Sequence, residues 1–340
     1  MCLKSCRNAC KSLILPFAAL LAIAATMPAP LAAADGAEKP AATKPGLAKT
    51  VPSANAAVTG ASHQFTFKSP AVGRTTEQDI LFALELKATT VQGGTKVDEI
   101  ESKLSRRQTR SITILAAHEG RVTKARVAYR SAEQEVTGQR SAGQPPETVR
   151  ATQPISGKAY LVAREKPAEA LTVTDEKGNA PSEEEQKLVA NSMDAIGRDN
   201  VLGKFLDGRT IRVGHSVEMP AADANDLLGF DKAVGQVSKF ELTLTRVSHR
   251  GDVLVGEFET RIELNSPDPM GQATRFRGKM VVEVDTCRSL EAEFAGPVSF
   301  VDRHGPAAGG YQVFSVGALR MRVATTNAST AAKANATPRR

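Results

Sequence analysis

The sequence contains no tryptophan, and aromatic residues make up only 4% of its 340 residues. Proteins that bind single-stranded nucleic acids without sequence preference stack the bases on aromatic side chains. The chain carries a net charge of +7, but the excess lies in residues 1–62 and 326–340, which leaves residues 63–325 neutral. A phosphate backbone is held by a basic surface, and here the only local basic cluster is Arg106, Arg107 and Arg110. We therefore expect no nucleic-acid partner.

Cysteine is also scarce, and three of the four cysteines lie within the first ten residues. The basic residues of that segment precede an apolar stretch at 13–27, and three alanines follow at 32–34. This layout is typical of a secretory signal peptide. The stretch is shorter than the roughly 20 residues of a membrane-spanning helix and contains Pro16. We predict cleavage after Ala34, a periplasmic or secreted location and no transmembrane span.

Cleavage would leave Cys287 as the sole cysteine, so the sequence predicts no internal disulfide. A chain of about 300 residues is long enough to be held together by its core. Residues 35–62 are rich in Ala, Pro, Lys and Ser without periodicity, and residues 326–340 are similar. Both segments are predicted to be disordered, as a linker and a tail.

The region between them, 63–325, is predicted to form a single β-rich domain. Apolar and polar residues alternate with a period of two, and the alternating runs are separated by turns. The clearest runs are strand pairs at 109–129, 237–264 and 274–300, and a last strand at 311–323. Two of these pairs turn at a His-x-Gly sequence, His118-Glu119-Gly120 and His249-Arg250-Gly251. Their similarity suggests a duplicated β-meander with halves at 63–180 and 198–325.

A helix is predicted at 182–196, between these halves. Ser182 and Glu185 have the spacing of a capping box, and an apolar stripe with a period near 3.6 follows before Gly197. A second, weaker helix is predicted at 221–229. The fold class is therefore α+β: a curved antiparallel sheet, resembling a half-barrel, packed on one or two helices.

The residues that carry chemistry form no recognisable active site. His118 and His249 precede turn glycines, where polar and solvated residues are common. The alternative is that the two turns meet at one rim of the sheet and share a metal. A metal needs three or four ligands, and neither turn has ligands at such spacing. No nucleotide-binding motif is present, and we expect no metal, no cofactor and no enzymatic activity.

A hydrolase that uses His215 or the two turn histidines remains an alternative. His215-Ser216 lacks the second glycine of a nucleophile elbow. Cys287 is followed by Arg288, which would lower the pKa of the thiol, although a structural thiol is the favoured interpretation. Acidic residues alternate with apolar ones along the predicted strands, which places them on the solvated face opposite the apolar one rather than in a glycosidase pair. They are Glu257, Glu259, Glu263, Glu283, Asp285, Glu291 and Glu293.

The apolar face of the sheet is the more informative feature. We expect one side to carry Phe240, Leu242, Leu244, Phe258, Ile262, Phe276, Val282, Val284, Phe294, Phe300, Phe314, Val316 and Leu319. A single helix at 182–196 would cover only part of this face and would leave an apolar groove. The candidate groove residues are Phe240, Leu242, Leu244, Phe258, Ile262, Phe276 and Phe294.

Three short sequences, VGHSVEMP at 213–220, FRGKMVVEVD at 276–285 and EFAGPVSF at 293–300, complete the pattern. Together with the strand layout, they resemble exported β-rich half-barrel proteins of Gram-negative bacteria, either of the lipoprotein-carrier type or of secreted families of unknown function. The resemblance implies an exported, non-enzymatic envelope protein with a lipid or other apolar ligand. The lipid-attachment cysteine that is common in such families is missing. The alternative function is a structural or interaction module that binds another envelope protein.

Overall fold

The computed structural model describes residues 60–139, 143–229, 235–265, 274–304 and 310–327. Within these ranges the chain forms fourteen strands and three helices. The strands are β1 (Ser62–Gln64), β2 (Thr75–Gln92), β3 (Thr95–His118), β4 (Arg121–Gly138), β5 (Glu147–Thr152), β6 (Ala159–Ala163), β7 (Thr172–Asp175), β8 (Thr210–Arg212), β9 (Ser216–Met219), β10 (Gln236–Arg250), β11 (Val253–Asn265), β12 (Thr274–Glu283), β13 (Ser289–His304) and β14 (Tyr311–Asn327). The helices are α1 (Glu183–Ser192), α2 (Val201–Leu206) and α3 (Ala221–Leu228).

Twelve strands form one curved antiparallel sheet, which confirms the predicted fold class. Its order is β7-β6-β4-β3-β2-β14-β13-β12-β11-β10-β9. β5 pairs with the last six residues of β4, from Glu133 to Gly138. β1 and β8 form a separate pair. The predicted hairpins at 109–129, 237–264 and 274–300 are confirmed as β3–β4, β10–β11 and β12–β13. The long pairing of β2 with β14 joins the first half of the sheet to the second.

Three glycines on the central strands lie against the backbone of a neighbouring strand. A Cβ atom on Gly278, Gly296 or Gly317 would lie 1.9, 2.6 or 1.8 Å from a backbone oxygen of the neighbouring strand. The ring of Phe294 lies over Gly278, and the ring of Phe276 lies over Gly296. Such glycines, covered by aromatic rings, permit a strong local bend in a sheet. Two of the predicted groove residues therefore cover the bend.

Helix α1 begins as the sequence predicts. The Glu185 amide donates to the Ser182 hydroxyl at 3.3 Å, and the Ser182 amide donates to the Glu185 carboxylate at 3.0 Å. The helix ends at Ser192 rather than at 196. The Met193 amide makes the last helical bond, to the Val189 carbonyl at 2.9 Å, and the Ile196 amide then donates to the Met193 carbonyl, only three residues before it, at 3.0 Å. The following residues form a turn that ends at Gly197, whose φ is 77°.

Helices cover the sheet from one side, which we call the inner face, in two separate places. Helix α1 packs on β4, β6 and β7, and its side chains join a cluster with Tyr129 and Tyr160. Helices α2 and α3, together with Phe65, cover β10 to β13 in a second, larger cluster. The expectation that the 182–196 helix would lie over the apolar face of β10 to β14 is therefore wrong. That face is covered by α3 together with α2, a six-residue helix that is too short to show a helical period in the sequence.

Phe314 and Val316 were assigned to the apolar face, but they alternate with the buried Leu319 and are exposed on the opposite, outer face. The second predicted helix is confirmed as α3. The first strand begins at Ser62 and the last strand ends at Asn327, slightly beyond the limits of the predicted domain. The predicted signal peptide, most of the linker and the end of the tail lie outside the described residues.

Candidate functional site

The seven predicted groove residues lie together in the larger cluster, and each is at most 6% exposed. They are Phe240, Leu242, Leu244, Phe258, Ile262, Phe276 and Phe294. Residues of α2 and α3 belong to the same cluster. In this structure these side chains therefore make up protein core, and a polar substitution among them would destabilise the fold before it affected any ligand.

From the larger cluster, a row of apolar side chains continues across the inner face towards β5 and becomes less buried along the way. Val149, Val136, Leu104, Leu84 and Leu319 lie directly opposite one another on β5, β4, β3, β2 and β14. Directly opposed residues project from the same face of a sheet. We call this set the apolar row. Its exposure increases along the sheet: Leu319 is 6% exposed, the middle three are half-buried, and Val149 is 38% exposed.

A second row, which contains a charged residue, lies next to the apolar row. On each strand its member is the neighbouring residue that faces inward, two positions from the member of the apolar row. It consists of Ala151, Gln134, Arg106, Phe82 and Met321. Arg106 is only 3% exposed, and its Nε donates to the Gln134 side-chain oxygen at 2.9 Å. Burial lowers the pKa of Arg106 to about 10, because the guanidinium loses water that stabilises its charge. The arginine remains charged at neutral pH.

Two more long polar side chains follow on the inner face of β3. Gln108 donates to the Gln153 side chain at 3.0 Å, while its own side-chain oxygen is buried without a hydrogen-bond donor. Arg110 donates to Gln78 at 3.0 Å and to the Ser192 carbonyl at 3.0 Å. This polar segment of β3 separates the two hydrophobic clusters. The sequence showed these arginines only as a local basic cluster, because their orientation depends on the register of β3.

The histidines considered as catalytic residues are exposed and far apart along the sheet. His118 and His249 lie at the ends of β3 and β10, and four strands separate their hairpins in the sheet order. His215 precedes β9, and the hydroxyl of the adjacent Ser216 pairs with Thr243 at 2.7 Å. Among the described residues, no group of His, Cys, Asp and Glu side chains is arranged to hold a metal ion.

The predicted charged outer face is largely present. Four of its acidic residues form ion pairs with arginines: Glu257 with Arg246, Glu263 with Arg275, Glu291 with Arg322 and Glu293 with Arg320. Glu283 is an exception. It was predicted to be solvated, but it is 3% exposed, because Thr286 and Arg288 of the following turn contact its carboxylate.

Cys287 lies in the β12–β13 turn and is fully buried, with φ of 51°. Burial, with a further contribution from Asp207, raises the pKa of the thiol to about 12. A thiol with such a pKa is protonated at neutral pH and is a poor nucleophile. Arg288 therefore does not activate it, and the thiol is a structural one.

This burial predicts a pH dependence of stability. In the folded protein the pKa of the Cys287 thiol lies above its usual value of 9.0. The buried neutral thiol therefore contributes its full stabilisation below pH 9, and this stabilisation is lost as the pH rises towards 12. Up to about 1.4 kcal/mol should be lost per pH unit in that window. Urea unfolding of the chain and of its Cys287→Ala variant should show this difference between pH 8 and 10. Equal pH dependence in the two proteins would contradict it.

No family model matches the chain, and no curated protein matches it. Among solved structures, lipovitellin is 9% identical with a TM-score of 0.37, and the match covers 76% of this chain and 25% of lipovitellin. An outer membrane channel from Pseudomonas putida F1 is 11% identical with a TM-score of 0.22, covering 76% and 98% of the two chains. The outer membrane protein OprG from Pseudomonas aeruginosa is 8% identical with a TM-score of 0.14, covering 77% and 100%.

All of these TM-scores are below 0.5, and they carry no argument about function. The chain spans a quarter of the length of lipovitellin. In the described part of the chain, no helix has the length and apolar character needed to cross a bilayer.

Proposed function

We propose that this protein is an exported, non-enzymatic protein of the bacterial cell envelope that binds a lipid or other apolar ligand on the inner face of its curved sheet. The observation that carries the proposal is the apolar row. Its members are aligned across five strands, beginning at Leu319 in the larger cluster, and burial falls off towards β5. A ligand that covers these side chains would remove apolar surface from water, which is favourable.

The signal-like N-terminus supports export. The apolar row supports a ligand site that differs from the groove predicted from the sequence, because the aromatic residues predicted to line that groove form the core beneath the helices. The ligand would instead contact Leu84, Leu104, Val136 and Val149, next to Arg106. This arrangement places mostly apolar side chains beside a few polar ones, as is usual for sites that bind small molecules.

Native mass spectrometry of residues 35–340, purified gently from an exporting host, tests the proposal. We expect a reproducible added mass that organic solvent removes. Val149→Asp should weaken rebinding of the extracted ligand at least about tenfold, because a charge would replace an apolar contact. Val301→Asp is the matched control, since Val301 is 39% exposed on the outer face. A clean apo mass, or equal weakening by both substitutions, would contradict the proposal.

A second candidate is binding of another envelope protein at a sheet edge. Within the part of the chain that the structure describes, β5 pairs only with β4, and all six of its residues are exposed. Free edge strands are templates for pairing with another chain. This candidate predicts a clean apo mass together with crosslinks from position 148 to one discrete protein. Crosslinks that are equally frequent from position 301 would exclude an edge-specific partner.

A further inference from the structure

Strand β5 forms the least protected edge of the large sheet. In the described part of the chain, the sheet ends at β7 and β9, and β5 forms a third edge beside β4. β7 and β9 have four residues each, α1 packs on β7, and Pro220 directly follows β9. Short strands, covering helices and prolines keep a sheet edge from pairing with another chain. β5 has six residues, contains neither lysine nor proline, and pairs with β4 without a register shift.

The backbone of β5 directs alternate polar groups away from β4. The amide of Gln153, which follows β5, donates to the Ala132 carbonyl of β4 at 2.8 Å. Backbone groups alternate in direction along an antiparallel strand, so those of Val149 also point towards β4. The amides and carbonyls of Thr148 and Arg150 therefore point towards the edge. Groups in this orientation are a template for a further strand.

Side chains hold β5 in place on the outer face and leave an apolar residue at its inner face. The Thr148 and Thr137 hydroxyls lie 2.9 Å apart, and the Arg150 Nε donates to the Glu135 carboxylate at 2.6 Å. On the inner face, Val149 ends the apolar row and is 38% exposed. The edge is therefore ordered by β4, while its last apolar side chain is still open to water.

We propose that this edge pairs with β5 of a second copy of this chain. The two strands are antiparallel, and a two-fold axis perpendicular to the sheet places Val149 opposite Val149 of the second copy. The inner faces of the two copies then lie on the same side, and their apolar rows join end to end. Each copy covers the exposed Val149 of the other, which removes apolar surface from water. The inference goes beyond the proposed function and holds with or without a bound ligand.

The side chains select the position of the axis. Directly opposed residues project from the same face, so the axis passes through one residue of β5. At Val149, apolar meets apolar, and Thr148 lies opposite Arg150 of the second copy. An axis at Arg150 would oppose two arginines, which is destabilising, and an axis at Thr148 would oppose Val149 and Glu147. An axis nearer either end of β5 would leave fewer residue pairs.

The topology leaves room for this arrangement. β5 pairs with residues 133–138 of β4, and β6 pairs with residues 124–128 on the same side of that strand. β6 and β7 therefore lie beyond one end of β5. Because the two-fold axis reverses the strand direction, β6 and β7 of the second copy lie beyond the opposite end, and the two pairs of strands do not overlap.

Sedimentation velocity of residues 35–340 over a range of protein concentrations tests the inference. The interface is small, so we expect a reversible dimer with a Kd on the order of 10 µM. Arg150→Pro should raise this Kd at least about tenfold, because proline has no amide to donate to the second copy. A proline is tolerated at an edge where the amide faces solvent. Arg150→Ala is the matched control: it also loses the pair with Glu135 but keeps the amide, and its Kd should change by less than about threefold.

A cysteine at the axis tests the register independently. Cys287 is fully buried, so an introduced surface cysteine is the one accessible thiol of residues 35–340. Opposed residues whose backbone groups point away from each other have Cα atoms about 4.5 Å apart, which is within the range for a disulfide. Val149→Cys should therefore give a disulfide-linked dimer on mild oxidation. Val301→Cys, on the outer face and 39% exposed, should give little.

Each outcome supports or overturns the inference. A parent protein that stays monomeric at its highest concentration refutes the dimer but leaves ligand binding untouched, and the edge is then left to another protein. A dimer that Arg150→Pro does not weaken uses a different surface, and the inference fails. Equal disulfide yields from Val149→Cys and Val301→Cys refute the register. If Arg150→Pro does not unfold cooperatively, the comparison of these two cysteine variants decides.

Discussion

Replacing Gly317 with alanine should destabilise the protein by about 3 kcal/mol or more. The added methyl would lie 1.8 Å from the Glu85 carbonyl oxygen, 2.8 Å from its carbon and 3.0 Å from the Leu86 Cα. All three atoms belong to the backbone of β2, so no side-chain rotation relieves the overlap. The strands β14 and β2 would have to separate, and their pairing is the connection between the two halves of the sheet.

Gly138→Ala is the control for this prediction. A Cβ there lies 3.7 Å from the Glu101 carbonyl oxygen, which is an ordinary contact. Because alanine reduces the conformational freedom of the unfolded chain, Gly138→Ala should change stability by less than about 1 kcal/mol, in the stabilising direction. Urea unfolding monitored by circular dichroism measures both variants. Similar midpoints for Gly317→Ala and the parent protein would show that the strands do not approach as closely as described.

Replacing Glu283 with glutamine should also cost about 3 kcal/mol. The Glu283 carboxylate accepts hydrogen bonds from Arg288 and Thr286 and lies 3.8 Å from the Arg74 guanidinium. Both arginines also donate to the Asn327 side chain, at distances of 2.9 to 3.3 Å. The carboxylate thus faces two guanidinium groups where the β12–β13 turn meets the ends of β2 and β14. The glutamine variant would leave these partly buried guanidinium groups without the negative charge that offsets them.

The matched control is Glu293→Gln, which breaks the exposed pair between Glu293 and Arg320. Exposed ion pairs contribute about 0.5 kcal/mol because water screens both charges. The difference between the two variants isolates the effect of burial, since the substitution is the same. It should appear in the free energy of unfolding from urea titrations at neutral pH. If both variants lost the same free energy, the Glu283 carboxylate would have to be solvated in solution.

The elements that were predicted well are those set by local sequence. The capping box at Ser182 and the hairpins turning at Gly120 and Gly251 depend on residues within a few positions of one another. The end of α1 was predicted less well. The Ser192 carbonyl oxygen accepts a hydrogen bond from Arg110 of a distant strand. That contact has no signature in the residues around Ser192.

The candidate site shows the same division. Alternation correctly identified Phe240, Phe258 and Phe276 as inward-facing apolar residues, since side chains on a strand alternate between faces. It did not show whether another part of the chain would cover them. Helices α2 and α3 do so here, while Leu104 and Val136 on the central strands remain only half-buried. Burial depends on what packs against a face, and strand period contains no such information.

The sequence by itself determined the antiparallel class, the three predicted hairpins, the start of α1 and the absence of a motif for nucleotide binding. These follow from period, turn residues and composition, all of which act over short distances along the chain. Only the tertiary structure decided that β14 pairs with β2, that α1 covers β4 rather than β10, and that Arg106 lies beside an apolar row. Each of these depends on the register between strands that are far apart in sequence, and a shift of one residue would turn Arg106 to the outer face.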